Sequence, residues 1–177
     1  SDTALYSLRL AIDGAMKAAM KLSSGNRINS AADDPAGLVI SERMRDRIAT
    51  LRQESNNITQ IINKYATVDS AMLGMREQLI ELRSLAVGAA NDATNSPESQ
   101  QAYATAAKSI VESYNRTIES SQYNGKHTLD GSDGAVADIG KLSGIDLSSG
   151  QSATASLTLI DDAAHELDLA MVDLWAK

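Results

Sequence analysis

Residues 34–91 read DPAGLVISERMRDRIATLRQESNNITQIINKYATVDSAMLGMREQLIELRSLAVGAAN, with no proline after Pro35. Asp34 suits the N-cap, where its carboxylate accepts orphan N–H groups. Pro35 suits the first helical position, where its missing N–H costs nothing. From there Met44, Ile48, Leu51, Ile58, Ile62, Tyr65, Met72, Met75, Leu79, Leu82 and Ala86 alternate by threes and fours, with Ser55 and Asp69 at the skipped positions. That period predicts one helix over 35–91. At 1.5 Å per residue it would be about 80 Å long, which points to a coiled coil or fibrous assembly.

The flanks extend this pattern. Leu5, Leu8, Ile12, Ala15, Met16, Ala19, Met20 and Leu22 form a helical stripe, and Gly25 follows as a C-terminal stop, giving a helix at about 3–23. Asn91-Asp92-Ala93-Thr94-Asn95-Ser96-Pro97-Glu98 breaks the long helix. Ser96 as cap and Pro97 in the first turn restart one at 97–121, with an apolar face of Tyr103, Ala107, Ile110, Val111, Tyr114 and Ile118. Short connections make such helices antiparallel neighbours. Residues 123–158 are rich in turn dipeptides: Asn124-Gly125, Asp130-Gly131, Asp133-Gly134 and Ser149-Gly150. A hairpin is expected around the turns, and Ala153–Thr158 alternate like a short strand. Leu159, Ala163, Leu167, Ala170, Met171 and Leu174 predict a last helix at 159–176, whose pattern runs to Lys177 as in a fragment. The expected fold is mainly α: an elongated antiparallel bundle or coiled-coil rod with a small irregular hairpin tip.

Composition narrows the function. Aromatics are 3% and Phe is absent, so thin side-by-side helices fit better than a broad core. A net charge of −7 serves solubility and disfavours nucleic-acid backbone, which needs clustered cations. The absence of cysteine excludes disulfides and thiolate metal sites. No secretory signal and no apolar run of membrane-spanning length is visible, so no membrane insertion is expected.

No constellation for catalysis emerges, and no cofactor is implied. His165-Glu166-Leu167-Asp168-Leu169 has leucine where a zinc-protease helix needs its second histidine, so His165 reads as a surface residue. Asp33 and Asp34 lack a companion base. Asp34 reads as a cap, and Asp33 as a carboxylate able to pair with Arg27. Arg43, Arg45, Arg47 and Arg52 are diluted by Glu42, Asp46 and Glu54, which describes a salt-bridging face or a protomer interface. Met16, Met20, Met72 and Met75 read as core filler.

Three blocks carry a family resemblance: LSSGNRINSAADDPAGLVISERMRDRI (22–48), LIELRSLAVGAANDATNS (79–96) and SSQYNGKHTLDG (120–131). In this order and spacing they resemble the N-terminal region of bacterial flagellins. The tail LIDDAAHELDLAMVDLWAK (159–177) is similar, more weakly, to the start of the family's C-terminal core helix. The resemblance implies an extracellular filament subunit that polymerises with itself. It would be exported without a cleaved signal by the flagellar type III apparatus, and would meet cap and hook-junction proteins. It places residues 1–23 in an inner coiled coil, 24–34 in a connecting spoke and 35–177 in a rod domain. Arg27, Ile28, Asn29, Ser30 and Asp33 then become candidate subunit contacts.

Departures from the family pattern shape further expectations. The family's terminal C-terminal helix, which carries the export-chaperone site, has no counterpart here, so this chain alone should assemble poorly. Between Gly125 and Leu159 there is no room for large outer domains, so a filament would be smooth. Leu85-Ala86-Val87 and Arg83 match a segment that an innate Toll-like receptor recognises in flagellins. Glu81, however, stands where the family has a key arginine, and Ala106 where it has a contacting glutamate. Weak receptor binding follows, since a reversed charge in a desolvated contact costs several kcal/mol. The competing expectations are a hook–filament junction protein, a non-flagellar coiled-coil adaptor, and an enzyme on a flagellin scaffold.

Overall fold

A computed structural model describes residues 2–91 and 93–177. Ser1, from the segment 1–23 expected in an inner coiled coil, and Asp92, from the expected break, lie outside them. Two compact units divide the chain, Ser1–Ile58 and Thr59–Lys177. The elements are α1 (Asp2–Ser24), α2 (Pro35–Ala89), α3 (Pro97–Ser120), β1 (Gln122–Tyr123), β2 (Lys126–His127) and α4 (Gly150–Trp175). The fold is mainly α with one small hairpin.

In the first unit, α1 ends at Gly25, whose φ of +67° is the left-handed conformation that closes helices. None of its residues is buried. Met16 and Met20, expected as core filler, are 50% and 62% exposed, because nothing in this unit covers their face. The same holds for Met44, Ile48, Leu51 and Ile58 of α2. The helical period is present there without a core to explain it.

In the second unit the period has its core. Val68, Met72, Met75, Leu79, Leu82, Ala86 and Ala89 of α2 are all at most 2% exposed and step by fours and threes. That is the seam of a coiled coil. From α3 it receives Ala107, Tyr114 and Ile118, and from α4 Ala153, Ile160, Leu167, Ala170, Met171 and Leu174. Both helices run antiparallel to α2. Gln78 Nε2 donates to Ser113 Oγ at 3.0 Å on one side, while Trp175 Nε1 donates to Asp69 Oδ1 at 2.9 Å on the other.

Ser96 caps α3, its Oγ accepting the Ser99 N–H at 3.2 Å, with Pro97 in the first turn. Asn124 and Gly125, with φ of +52° and +76°, form the tight turn that pairs Gln122 with His127 and Tyr123 with Lys126.

Another expectation is overturned. Residues 153–158 are not a strand, and Ser149-Gly150 is not a turn: α4 begins at Gly150. Ser149 and Ser152 form a reciprocal capping box, each side chain taking the other's backbone N–H at 3.1 Å. Ala153, Ser156 and Ile160 are buried at helical spacing, so packing decides against the apparent alternation.

Candidate functional site

Loop 25–34 is held by its own short polar side chains. Ser24 Oγ donates to Asn29 Oδ1 at 2.8 Å, and the Asn26 N–H returns to Ser24 Oγ at 3.2 Å. The Asp33 carboxylate gathers three donors: the Asn29 N–H at 3.3 Å, the Ser30 hydroxyl at 3.3 Å and Lys21 Nζ at 3.4 Å. Its ion-pair partner is thus Lys21 of α1 rather than Arg27, because the turn aims the carboxylate back at the last helical turn. Chiefly the Asn29 N–H, and then the Lys21 charge, hold the Asp33 carboxyl below its ordinary value.

Asp34 opens α2. Its Oδ1 accepts the Gly37 N–H at 2.9 Å, and its carbonyl takes the Leu38 N–H at 2.9 Å. A Cβ at Gly37 would overlap the Asp34 carboxylate and lie 2.8 Å from Ile28 Cδ1, so both side chains would have to move to admit one. Ile28 is half-buried, while Arg27, Asn29 and Ser30 are exposed. The loop is therefore a folded bracket with polar groups outward.

Helix faces are the other candidate. On α1, Leu5, Leu8, Ile12, Met16 and Met20 are between 49% and 62% exposed. On α2, Ile40, Met44, Ile48, Leu51, Ile58 and Ile62 range from 48% to 61%. Apolar surface of this extent marks an interaction surface. Within the second unit, Arg83 and Arg76 of α2 pair with Asp161 and Asp168 of α4 at 2.7 and 3.3 Å. Arg83 is thereby committed within the chain, while Glu81 is exposed beside it and Leu85 and Ala106 are half-buried. His165 is exposed on α4, and no cluster of three metal-ligating side chains exists among the described residues. No described helix is long and apolar enough to cross a membrane.

Two side chains of α3 do structural work that the sequence did not disclose. Asn115 grips the backbone of Leu142 with both amide atoms, its Nδ2 donating to the carbonyl at 2.9 Å and its Oδ1 accepting the N–H at 2.8 Å. Gln100 Nε2 donates to the carbonyls of Ala89 and Leu147 at 3.1 and 2.9 Å. Together they hold the strandless segment 142–147 against the bundle. No local motif announces an amide whose partner is 27 or 47 residues away.

The bacterial flagellin N-terminal helical region matches residues 2–133. Over 138 residues the chain is 36% identical to a flagellin of Clostridium tyrobutyricum, covering 78% of this chain and 36% of that protein. A flagellin of Halalkalibacterium halodurans is 36% identical over 158 residues, 89% of this chain and 56% of its own length. Polar flagellin C of Vibrio parahaemolyticus is 37% identical over 125 residues, 70% of this chain and 32% of its own. The chain thus spans between about a third and just over half of these curated relatives. With the family's N-terminal helical region matched over three quarters of its residues, the chain belongs to the bacterial flagellins.

Proposed function

We propose that this chain belongs to a structural subunit of the bacterial flagellar filament, outside the cell, where it polymerises with further copies of itself. The observation that carries the reading is the uncovered apolar stripe on α1, which buries no residue of its own. An exposed stripe of Leu, Ile and Met at helical spacing calls for a helical partner. Assembly supplies one. On this reading residues 1–23 belong to an inner coiled coil, 24–34 form the spoke, and 35–177 form the rod domain. Arg27, Ile28, Asn29, Ser30 and Asp33 would meet neighbouring subunits. The role assigned is mechanical, with no catalytic step, cofactor or nucleic acid.

Export by the flagellar type III apparatus, and contact with cap and hook-junction proteins, belong to the same proposal. Toll-like receptor binding is proposed to be weak, because Glu81 presents a carboxylate where an arginine is favoured and Arg83 is engaged by Asp161. Electron microscopy of the full-length protein under polymerising conditions tests the function. Smooth helical filaments are expected. A soluble oligomer of fixed size would point instead to an adaptor, and short caps on hook ends to a junction protein.

A further inference from the structure

Beside its buried seam, α2 carries a second heptad pattern. Leu73, Ile80 and Val87 recur every seven residues and are 45%, 63% and 53% exposed. At about 3.6 residues per turn they lie outside the row Asp69, Arg76 and Arg83, which meets Trp175, Asp168 and Asp161 of α4. The stripe is therefore distinct from the seam that α3 and α4 cover. Both helices are in place at this level, α3 through Ser113 on Gln78 and α4 through the row itself, and the stripe stays bare. Because α4 runs antiparallel to α2 and reaches Asp69 with Trp175, its course leads away from residues 73–87. Apolar residues at a seven-residue repeat on an exposed face call for another helix.

The outer face of α3 matches it in shape. Ala102, Thr105, Ala106 and Ser109 line a shallow trough of about 570 Å³, with Glu98 at the end nearest the start of the helix. Small side chains let a second helix approach closely and leave room for Leu, Ile and Val. Charge agrees with shape. Residues 59–177 carry eight Lys or Arg against sixteen Asp or Glu, and Lys64, Arg76, Arg83, Lys141 and Lys177 are held in ion pairs. Three cations of this unit have no ion pair among the described residues. Lys126 is in the hairpin, whereas Lys108 and Arg116 are exposed on α3. Glu77, exposed between Leu73 and Ile80, and Glu112 of α3 also have no ion pair among the described residues.

We infer that the Leu73–Val87 stripe of α2 lies in the α3 trough of a second copy of the chain. Copies that point the same way bring α2 against α3 antiparallel, as the two helices already run within one chain. The register that carries Arg116 to Glu77 sets Ile80 opposite Ser109 and Val87 opposite Ala102. It also turns Glu112 toward Arg76, whose guanidinium is half exposed. The contact joins two different surfaces, so each copy keeps one of each free and the contact repeats from copy to copy, as a polymer requires. It rests on the filament reading and names one of its contacts.

The test uses two batches of the full-length protein, one carrying Ile80→Cys and the other Ser109→Cys. This sequence has no cysteine of its own. Co-assembly followed by mild oxidation should give an intermolecular crosslink, and neither batch should give one alone. Arg116→Glu in the Ser109→Cys batch should lower the yield about tenfold, since like charges then face each other. Adding Glu77→Arg to the Ile80→Cys batch should restore it, which a folding defect would not allow. Val87→Cys with Ala102→Cys probes the same contact one heptad on, should the first pair hinder assembly. Filaments that form without the crosslink, or with a crosslink indifferent to charge reversal, would overturn the contact and leave the filament reading standing. Failure of the wild-type protein to form filaments in the microscope would overturn both.

Discussion

Arg83 Nε lies 2.7 Å from Asp161 Oδ1, and one heptad along the same two helices Arg76 reaches Asp168 at 3.3 Å. A further heptad along, Asp69 accepts the Trp175 indole N–H. The three contacts fix the register of α4 on α2, as flanking charges do in coiled coils. Because both members of the Arg83 pair are more than half exposed, register is their main contribution. Arg83→Ala should move the urea midpoint only slightly, and less again at about 0.5 M salt, where exposed charges are screened. Exchanging the two residues, Arg83→Asp with Asp161→Arg, should return the midpoint to the wild-type value.

The two stretches of apolar periodicity should respond oppositely to truncation. Leu82→Ala, in the buried seam, removes side-chain contacts and leaves a cavity, at a cost of about 2–5 kcal/mol in chemical denaturation. Ile12→Ala, on the uncovered face of α1, should change folding stability by no more than about 0.5 kcal/mol. In the full-length protein the order reverses for polymerisation: Ile12→Ala should raise the critical concentration for filament growth, measured by sedimentation.

Asn115→Ala should cost about 1–3 kcal/mol, because it strands the N–H and carbonyl of Leu142 on a partly buried segment. Hydrogen exchange distinguishes this from general loosening. The Leu142 amide should lose protection well before the amides of the α2 seam.

Two glycines meet different obstacles to a side chain. At Gly131, φ is +72° and a Cβ would sit 3.0 Å from the Asp138 backbone nitrogen, so Gly131→Ala should destabilise by about 1–2 kcal/mol. At Gly37 the obstacle is the capping carboxylate itself. Gly37→Ala should displace Asp34 and fray the first turn of α2, seen as faster exchange at Gly37 and Leu38 with the rest of α2 unchanged.

Several carboxylates are more acidic folded than free. In Asp146 the backbone N–H of Ser148 is the leading cause, followed by its hydroxyl; in Asp130 it is the Ser132 hydroxyl, then its N–H. A depressed folded pKa adds stability above the ordinary carboxylate range and loses it as pH falls through the folded value. Stability should therefore drop below about pH 4, and Asp146→Asn should make that acid limb shallower. Thermal melts between pH 2 and 6 would measure both.

Much of this was legible in advance for identifiable reasons. Asp34-Pro35, Ser96-Pro97 and Asn124-Gly125 act locally, so their effects could be read without knowing what packs where. The start of α4 could not. Ser149-Gly150 suits a turn or a helix entry equally, and only the burial of Ala153, Ser156 and Ile160 beside α2 selects the helix. Ser156 looked like a strand hydroxyl. It is instead a bridge, accepting the Asp146 N–H at 2.9 Å and donating to its carbonyl at 3.0 Å. The apolar period of α2 marks one face throughout. In the folded chain it changes from exposed to buried on passing Tyr65, because periodicity reports which residues share a face and not what covers it.

Trp175 is the only tryptophan in the sequence, and the residue is 65% exposed while its indole N–H is tethered to Asp69. The chain thus carries a built-in optical probe at the α2–α4 seam. Its emission comes from one wet indole of fixed orientation, so a blue shift on polymerisation would report that another molecule has dried this spot. An unchanged spectrum would leave it facing solvent. No dye or label would be needed.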